Sequence, residues 1–339
     1  MNPLAKVRLG KTRLKVTRLG MGGAALGGLF HDLAEDTATN TIQRALRLGI
    51  GFFDTAPLYG AGKSESRYRR GLEGWDRDSY VLASKVGYAL LRQTPGAKQE
   101  MFFPYDNPPA LQPTFDFSYD GVMRSLEGSL GRLGLDRIDI LHIHDPTDHF
   151  DEAMSGAYVA LNKLRQERMI GAVGVGTTEV ETLIRFVQAG DFDCILLAGR
   201  YSLLDHTALL EALPLCEAKG VSVIIGGPYN SGILATGAVA GATYNYVPAS
   251  PEVLKKVRQI ENICREYSVP LKAAALQFPL GHPAVVSIIP GARSEAEVEE
   301  NFRFVGHPIP VEFWRDLQKR KLLPQEAPVP HENGSISLA

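Results

Sequence analysis

Residues 121–144 of the 339-residue chain, GVMRSLEGSLGRLGLDRIDILHIH, contain the pattern that decides the fold. Residues 121–134 have the apolar spacing of an amphipathic helix and end at a glycine, which is a common helix stop. Residues 138–144, IDILHIH, form a short apolar run that is typical of a buried strand and ends in a polar residue. A helix that leads directly into a buried strand is the repeating unit of a parallel α/β fold.

The same alternation of apolar run and amphipathic segment continues along the whole chain. Seven further runs read as strands: RLGMGG (18–23), GFFDTA (51–56), YVLASKVG (80–87), MIGAVGVG (169–176), DCILLAG (193–199), VSVIIGG (221–227) and AVVSIIPG (284–291). Eight strands that alternate with helices indicate parallel strands buried on both faces. The number and the length predict an α/β protein with a (β/α)8 TIM barrel, and a doubly wound sheet is the alternative.

Other segments complete the predicted architecture. Residues 6–20 alternate around a Gly-Lys-Thr turn and predict an N-terminal β-hairpin. Long loops are expected after strands three and seven, at 88–118 and 228–250, where clustered aromatic residues predict walls of a binding pocket. Residues 1–325 then form a single barrel domain, and 326–339 are expected to be a flexible C-terminal tail.

The composition excludes several function classes. The chain has 36 Lys and Arg against 38 Asp and Glu, a formal net charge of −2, so no basic surface for nucleic acid is expected. Three scattered cysteines without a CxxC motif indicate reduced thiols. No apolar run has the length of a membrane span, and the first residues lack a signal-peptide core. We therefore expect a cytoplasmic protein with no membrane partner; whether it is a monomer or a homo-oligomer stays open.

Polar side chains stand at or near the ends of three neighbouring predicted strands. Asp54 ends the second strand, and Tyr59 follows in the next loop. Lys85 lies near the end of the third strand, and His144 ends the fourth. Each alone has an ordinary structural explanation, as a cap, an ion-pair partner or a buried barrel histidine. Because the chemistry of a (β/α)8 barrel gathers at the carboxyl ends of its strands, we expect the four to act together.

These four residue types suit proton transfer at an oxygen atom. A tyrosine with a pKa of about 10 exchanges protons poorly at neutral pH. An adjacent ammonium favours the phenolate, and a carboxylate keeps that ammonium charged and in place. In this arrangement Asp54 supports Lys85, and Lys85 tunes Tyr59. A histidine beside the phenol can orient a carbonyl oxygen, so the set predicts proton transfer at oxygen while a hydride moves at carbon.

The sequence resembles the aldo-keto reductases over nearly its whole length. The motifs that carry the resemblance are GFFDTAPLYGAGKSE, LASKVG, IDILHIHDP, IGAVGVG and IIPGARSEAEVEEN, in the family's order. GRYSLLD and PYNSGIL further resemble the branch that contains L-fucose, D-threo-aldose and L-galactose 1-dehydrogenases and pyridoxal 4-dehydrogenase. The resemblance implies a (β/α)8 barrel with an N-terminal hairpin and a nicotinamide dinucleotide, NAD or NADP, bound across the barrel mouth.

Specific roles follow from the resemblance. Tyr59 becomes the catalytic acid/base, Lys85 and Asp54 support it, and His144 orients the substrate. The expected substrate is a small molecule, an aldose oxidised from hemiacetal to lactone, with pyridoxal 4-dehydrogenase or a general aldehyde/ketone reductase as alternatives. The expected cofactor-binding residues are Gly22, Gly23, Asp54, Gly176, Thr177, Arg200, Tyr201, Gly226, Gly227, Pro228, Asn230, Gly232, Pro290, Gly291, Ala292, Arg293, Glu297, Glu300 and Asn301.

The chain departs from the family pattern where the nicotinamide is usually held. Gly176-Thr177 replaces a Ser-Asn pair, Ala198 replaces a glutamine, and Gly226 replaces a stacking aromatic residue. Thr177, Arg200 or Tyr201 are the substitutes expected to contact the carboxamide. Glu297 stands where NADP-dependent members carry an arginine, so NAD is the favoured cofactor.

Three features of the sequence suggest competing interpretations. GMGGAA at 20–25 nearly matches a dinucleotide-binding fingerprint but lacks a clear following helix. His142 and His144 form an HxH that binds zinc in some barrel hydrolases. No histidine or aspartate follows at the tips of strands five to seven, so no metal site is expected. A non-catalytic nucleotide-sensing barrel is the third alternative, against which the complete set of four polar residues argues.

Overall fold

The computed structural model describes residues 1–29, 31–92 and 111–330 of the protein. Eight parallel strands form one sheet in which each strand pairs with the next along the chain. They are β1 Met21–Gly22, β2 Phe52–Asp54, β3 Val81–Val86, β4 Ile140–His144, β5 Ala172–Thr177, β6 Cys194–Ala198, β7 Ser222–Gly226 and β8 Val285–Ile289. Seven strands fall within predicted apolar runs, and β5 extends one residue beyond its run, to Thr177.

The sheet closes between its first and last strands. Parallel bridges join Leu19 to Ile288 and Gly22 to Gly291. The Gly20 N–H donates to the Ile288 carbonyl at 2.8 Å across the same seam. A Cβ added to Gly22 would lie 2.8 Å from the Ile289 carbonyl oxygen, so glycine is required at this close approach. The closed barrel confirms the predicted fold, and the doubly wound and dinucleotide-fingerprint alternatives are wrong.

Helices surround the barrel and bury one face each. In α1 the buried residues Ala38, Thr41, Ile42 and Ala45 recur at helical spacing. The longer helices are α1 Glu35–Arg47, α2 Lys63–Leu72, α3 Tyr119–Leu133, α4 Tyr158–Gln166, α5 Val180–Ala189, α6 Ala212–Lys219, α7 Pro251–Glu266, α8 Leu271–Gln277, α9 Glu295–Val305 and α10 Val311–Lys319. Short helical segments are Ala25–Gly27, Arg77–Ser79, Thr147–His149, Phe150–Glu152, the π-helical Ala153–Ala157, Ile233–Thr236 and Phe278–Gly281.

An N-terminal hairpin covers the amino end of the barrel, as predicted. Lys6–Arg8 pairs antiparallel with Lys15–Thr17. Leu9 and Val16 of this hairpin pack with the side chains that fill the barrel interior. The Gly10 N–H donates to Ser222 Oγ at 2.6 Å, which ties the turn to the start of β7. With this end covered, the interior opens at the carboxyl ends of the strands.

The two predicted long loops each contain a β-hairpin. After β3, Tyr88–Arg92 pairs with Leu111–Phe115, and the part of the loop at 93–110 lies outside the described residues. After β7, Thr243–Tyr244 pairs with Val247–Pro248. Both hairpins rise from the carboxyl rim of the barrel, because the strands that precede them end there.

The end of the chain packs further than predicted. Of the predicted tail at 326–339, residues 326–330 are described, and Ala327 is only 3% exposed. Residues 331–339 lie outside the described part. Within the described ranges, no helix has the length and apolar character that crossing a bilayer requires.

Candidate active site

Three adjacent strands deliver polar side chains to the carboxyl rim. Asp54 ends β2, Lys85 lies one residue before the end of β3, and His144 ends β4. The register pairs Asp54 with Ala83 and Lys85 with His142. Because parallel strands end at the same rim, a carboxylate, an ammonium and an imidazole come together there.

Lys85 and Asp54 form a buried ion pair. Lys85 Nζ donates to Asp54 Oδ1 at 2.8 Å and to Oδ2 at 2.7 Å, and also to the Thr55 carbonyl at 2.9 Å. The side chains are 1% and 2% exposed. Burial lowers the pKa of the Lys85 ammonium, and the Asp54 carboxylate opposes that shift. The carboxylate therefore fixes the position of the ammonium and favours its charged form.

Tyr59 lies above this ion pair. Lys85 Nζ is 4.6 Å from the centre of the Tyr59 ring, and the His144 ring stands at 87° to it with centroids 5.8 Å apart. The turn that follows Tyr59 includes Ala61 at φ 49, a left-handed backbone conformation, between two glycines of positive φ. The structure thus brings together the four residues that the sequence places at the strand ends.

His144 is a buried, neutral imidazole. Burial lowers its pKa well below the usual range, and the charges of Lys85 and His142 add to the effect. Within the described residues, Nδ1 has no hydrogen-bond partner. The Tyr88 ring lies edge-on to it with centroids 5.5 Å apart. A neutral histidine has one donor and one acceptor nitrogen, which suits it to bind a substrate oxygen.

His142 lies deeper in the barrel than His144. It is fully buried, and burial lowers its pKa to about 3. Neither ring nitrogen has a hydrogen-bond partner in the described part of the chain. Among those same residues, no group of three or more His, Cys, Asp and Glu side chains is placed to hold a metal ion.

A pocket opens at the rim above these residues. Its lining combines side chains from the loops and strand ends: Ala24, Leu29, Tyr59, Lys85, His144, Asp145, Gly176, Thr177, Thr178, Leu196, Ala198 and Tyr246. Asp145 and Tyr246 are absent from the site predicted from the sequence. A signal for Asp145 was present, since it directly follows the strand-end histidine. Tyr246 belongs to the predicted loop at 228–250 but had no distinguishing pattern.

The predicted nicotinamide contacts divide into two groups. Gly176 and Thr177 line the pocket with Ala198, the residue that replaces the family's glutamine. A Cβ added to Gly226 would lie 3.2 Å from Leu196 Cδ2 and 3.4 Å from Ala198 Cβ. A side chain at Gly226 would therefore press against Leu196 and Ala198, whereas Gly176 lies beside Lys85, with an added Cβ 3.6 Å from Lys85 Cε.

Arg200 and Tyr201 are not among the residues that line this pocket, and their role at the carboxamide stays a prediction. The Tyr201 ring is fully buried and packs against Phe278 with centroids 5.1 Å apart. Arg200 Nε donates to the Thr178 carbonyl at 2.7 Å, and its guanidinium is 3.4 Å from Asp205. Arg200 thus holds the backbone of a lining residue.

The remaining predicted residues lie along the rim on either side of the barrel seam. Gly22 and Gly23 follow the start of β1, and the Gly22–Gly291 bridge places them beside Pro290, Gly291 and Ala292 after β8. Gly227, Pro228, Asn230 and Gly232 follow β7. Asn230 is 2% exposed with φ 46, and its Nδ2 donates to the Gly199 carbonyl at 3.1 Å.

The start of α9 carries an internal ion pair. Ser294 caps the helix, accepting from the Glu297 N–H at 3.2 Å. The Glu297 carboxylate accepts from the Arg293 N–H at 2.8 Å and from its guanidinium at 2.9 Å. Further along, Glu300 pairs with Lys272 at 2.7 Å. Asn301 Oδ1 accepts from the Tyr229 hydroxyl at 2.7 Å. The cations near this helix start therefore already have carboxylate partners.

Comparison with known proteins decides the family. The sequence profile of the aldo/keto reductase family matches residues 18–321. The chain belongs to the aldo/keto reductase family. It is accordingly an NAD(P)-dependent oxidoreductase, as predicted, and the metal-hydrolase and nucleotide-sensing alternatives are not retained.

Relatives of this aldo/keto reductase include the predicted branch. Pyridoxal 4-dehydrogenase of Microbacterium luteolum is 37% identical over 94% of this chain and 98% of its own length. D-threo-aldose 1-dehydrogenase of a Pseudomonas species is 37% identical over 92% and 96%. L-galactose dehydrogenase of Arabidopsis thaliana is 36% identical over 86% and 85%. A solved aldo-keto reductase of Bacillus halodurans, in its holo form, shares 26% identity with a TM-score of 0.75 over 98% of this chain and 100% of that one.

Proposed function

We propose that this aldo/keto reductase is an aldose 1-dehydrogenase that oxidises the hemiacetal carbon of a sugar to a lactone with NAD. The observation that carries the proposal is the contact of Lys85 with Asp54 on one side and the Tyr59 ring on the other, at the floor of the pocket. Relatives that are 36–37% identical and act on aldoses support the substrate class.

In this proposal Tyr59 is the proton acceptor. The proton of the substrate's anomeric hydroxyl passes to the phenolate oxygen as the carbon loses its hydride. Lys85 stabilises the phenolate by its charge, and Asp54 keeps Lys85 protonated against the effect of burial. His144, neutral at working pH, donates a hydrogen bond to the reacting oxygen and fixes its position. In the reducing direction the same proton returns from Tyr59 to the oxygen.

The rim fits a nicotinamide dinucleotide. When bound, NAD takes up the hydride that leaves the substrate carbon. The strand ends at Gly176, Thr177 and Ala198, which line the pocket together with Tyr59, would hold the nicotinamide ring. The segments 227–232 and 290–293, which follow β7 and β8 at the rim, would hold the pyrophosphate and the adenosine. The second segment leads into the start of α9 at Glu295, and a helix N-terminus favours anionic groups.

Charge at the start of α9 supports NAD over NADP. NADP recognition needs a cation free to pair with the 2′-phosphate. Arg293 is bound by Glu297 through both its N–H and its guanidinium, and Lys272 is bound by Glu300. Binding a phosphate there would require breaking these pairs beside two carboxylates. A carboxylate such as Glu297 instead accepts hydrogen bonds from a free ribose 2′-hydroxyl.

Pyridoxal is the second candidate substrate. An aromatic cluster stands beside His144, in which Tyr88 and Phe115 have centroids 4.6 Å apart and Phe115 and Phe117 5.6 Å apart. Such rings favour a flat aromatic substrate as well as the apolar face of a sugar. A relative that is 37% identical is a pyridoxal 4-dehydrogenase.

A substrate panel tests the proposal. L-Fucose, L-galactose, D-arabinose, pyridoxal and benzyl alcohol are each incubated with NAD and with NADP, and formation of reduced cofactor is followed by absorbance. The expected result is the highest kcat/KM with an aldose and NAD, with lactone as the product. Turnover of pyridoxal with no aldose oxidised replaces the first candidate by the second. Turnover of simple aldehydes alone removes both.

A further inference from the structure

Asp145 lies in the pocket because the backbone leaves the strand geometry at this residue. Successive side chains of a strand point to opposite faces, so a residue that follows His144 should point away from it. Asp145 instead has φ 46, in the left-handed region, and both His144 and Asp145 line the pocket. Its N–H donates to the Gly176 carbonyl at 2.8 Å, which holds this conformation. Aspartate tolerates left-handed geometry better than most residues, although some strain remains.

The carboxylate of Asp145 is partly shielded and faces the reacting region. Its side chain is 34% exposed, and the neutral His144 ring lies beside it, with Nε2 3.7 Å from Asp145 Oδ2. Burial raises its pKa to about 6, Lys85 opposes the shift, and Glu179 adds to it. Burial raises the pKa of Tyr88 and Tyr246, and the Asp145 charge adds to both shifts. A strained, partly desolvated carboxylate is costly to maintain, which points to a functional reason for it.

We propose that Asp145 selects the substrate, accepting hydrogen bonds from hydroxyl groups on the carbon next to the reacting one. This inference rests on the proposed function, which places the reacting oxygen between Tyr59 and His144. Because Asp145 adjoins His144, a hydroxyl on the neighbouring carbon is the group within its reach. The pocket then prefers neutral polyhydroxylated substrates. It disfavours deoxy analogues, which leave the carboxylate without a partner, and anionic substrates, which it repels.

The test uses Asp145→Asn, since asparagine also tolerates the left-handed backbone. Glyceraldehyde and propanal, which differ in hydroxyls, are reduced with NADH, and an aldose and its 2-deoxy counterpart are oxidised with NAD. For each pair we take the ratio of kcat/KM for the substrate with the additional hydroxyl to kcat/KM for the substrate without it. In Asp145→Asn this ratio should fall about 10- to 100-fold below the wild-type ratio in both pairs, the contribution of one or two hydrogen bonds to a charged group. Asp148→Asn, at an exposed carboxylate three residues on, is the matched control and should keep the wild-type ratio.

The outcomes separate this inference from the proposed function. If the wild type oxidises no aldose but Asp145→Asn still lowers the glyceraldehyde-to-propanal ratio, Asp145 is the selecting residue and the aldose assignment fails. If aldoses are oxidised and both ratios are unchanged in Asp145→Asn, the aldose assignment stands and the role of Asp145 is overturned. Equal losses of kcat for both members of each pair also overturn it, because they indicate that Asp145 only positions His144.

Discussion

Replacing Asp54 by asparagine removes the partner of a buried ammonium. Lys85 Nζ donates to both carboxylate oxygens at 2.8 and 2.7 Å, and the two side chains are 1% and 2% exposed. Breaking a buried ion pair from one side costs about 3–5 kcal/mol, because the remaining charge is left without compensation. We expect Asp54→Asn to lose about that much free energy of unfolding at pH 7.

A second variant, Lys85→Met, removes the other partner of the ion pair. The stability loss of Asp54→Asn and that of Lys85→Met should change with pH in opposite directions. In Asp54→Asn, burial lowers the pKa of Lys85 with no carboxylate to oppose it, so the unfolded chain binds a proton that the folded protein releases. The stability deficit therefore shrinks as the pH rises toward about 10. In Lys85→Met, burial raises the pKa of Asp54 unopposed, so the folded protein keeps a proton. That deficit shrinks as the pH falls toward the pKa of the unfolded carboxyl.

The double variant Asp54→Asn/Lys85→Met should regain most of the lost stability. Replacing both charges by uncharged groups is often neutral or stabilising. Urea denaturation at pH 6, 7.5 and 9, with turnover measured on the same samples, gives both readouts. All three variants should be inactive. A double variant that is stable but inactive shows that the loss of turnover does not result from the loss of stability. As a control, Asp139→Asn breaks the 2.7 Å ion pair with Arg77 at the start of β4 and should lose stability but keep turnover.

Three results would refute this reasoning. Asp54→Asn could lose less than about 1 kcal/mol, the range of an exposed pair rather than a buried one. The double variant could be as unstable as the single one, which would mean that packing and not charge holds the site. It could also keep wild-type turnover, which would remove the ion pair from the mechanism.

Three further predictions concern residues around the site. Glu297→Arg should narrow or reverse the preference for NAD, measured as the ratio of kcat/KM with NAD to that with NADP; an unchanged ratio contradicts the role of Glu297. His142→Gln should lower the melting temperature while keeping kcat within about threefold of the wild-type value. A loss of kcat of more than about tenfold would place His142 in the chemistry, because general acid–base groups typically contribute about 10²- to 10⁴-fold. Because burial raises the pKa of Asp145 to about 6, its carboxylate destabilises the folded protein above that pH. Asp145→Asn should therefore raise the free energy of unfolding by about 1 kcal/mol at pH 8, a value that allows for the partial exposure of the side chain, and should leave it unchanged at pH 4. Urea denaturation measures the change, and a lower free energy of unfolding for Asp145→Asn at pH 8 would contradict this prediction.

The barrel strands and the residues at their ends were predictable because each strand is marked by its own local sequence. Every barrel strand is an apolar run, and parallel strands bring their ends to one rim whatever the loops do. Asp54, Lys85 and His144 each lie at or near the end of such a run, so their meeting follows from the topology. The N-terminal hairpin was predictable for a similar reason, from alternation around one turn.

Residues placed by the loop backbone were not predictable in the same way. Strand alternation directs Asp145 away from the pocket, and only its φ of 46 reverses this. Tyr246 reaches the pocket from the tip of a hairpin in which Asn245 and Tyr246 both have positive φ, a turn usually marked by glycine. The burial of Tyr201 was not predictable either, because the local sequence does not show that an aromatic residue shortly after a strand packs into the core. The ion pair between Arg293 and Glu297 was also not predictable, because the spacing of the two residues does not show whether the arginine pairs with the carboxylate or stays available to a phosphate.

The removal of one oxygen atom tests the central claim most directly. Tyr59→Phe keeps the ring that contacts Lys85 and His144 but lacks the hydroxyl that exchanges the proton. Single-turnover formation of reduced cofactor, measured beside cofactor affinity by fluorescence titration, separates chemistry from binding. We expect unchanged cofactor affinity and a rate lower by about 10²- to 10⁴-fold, the contribution of general acid–base catalysis. A variant that keeps more than about a tenth of the wild-type rate, less than the smallest such contribution, would show that another group moves the proton.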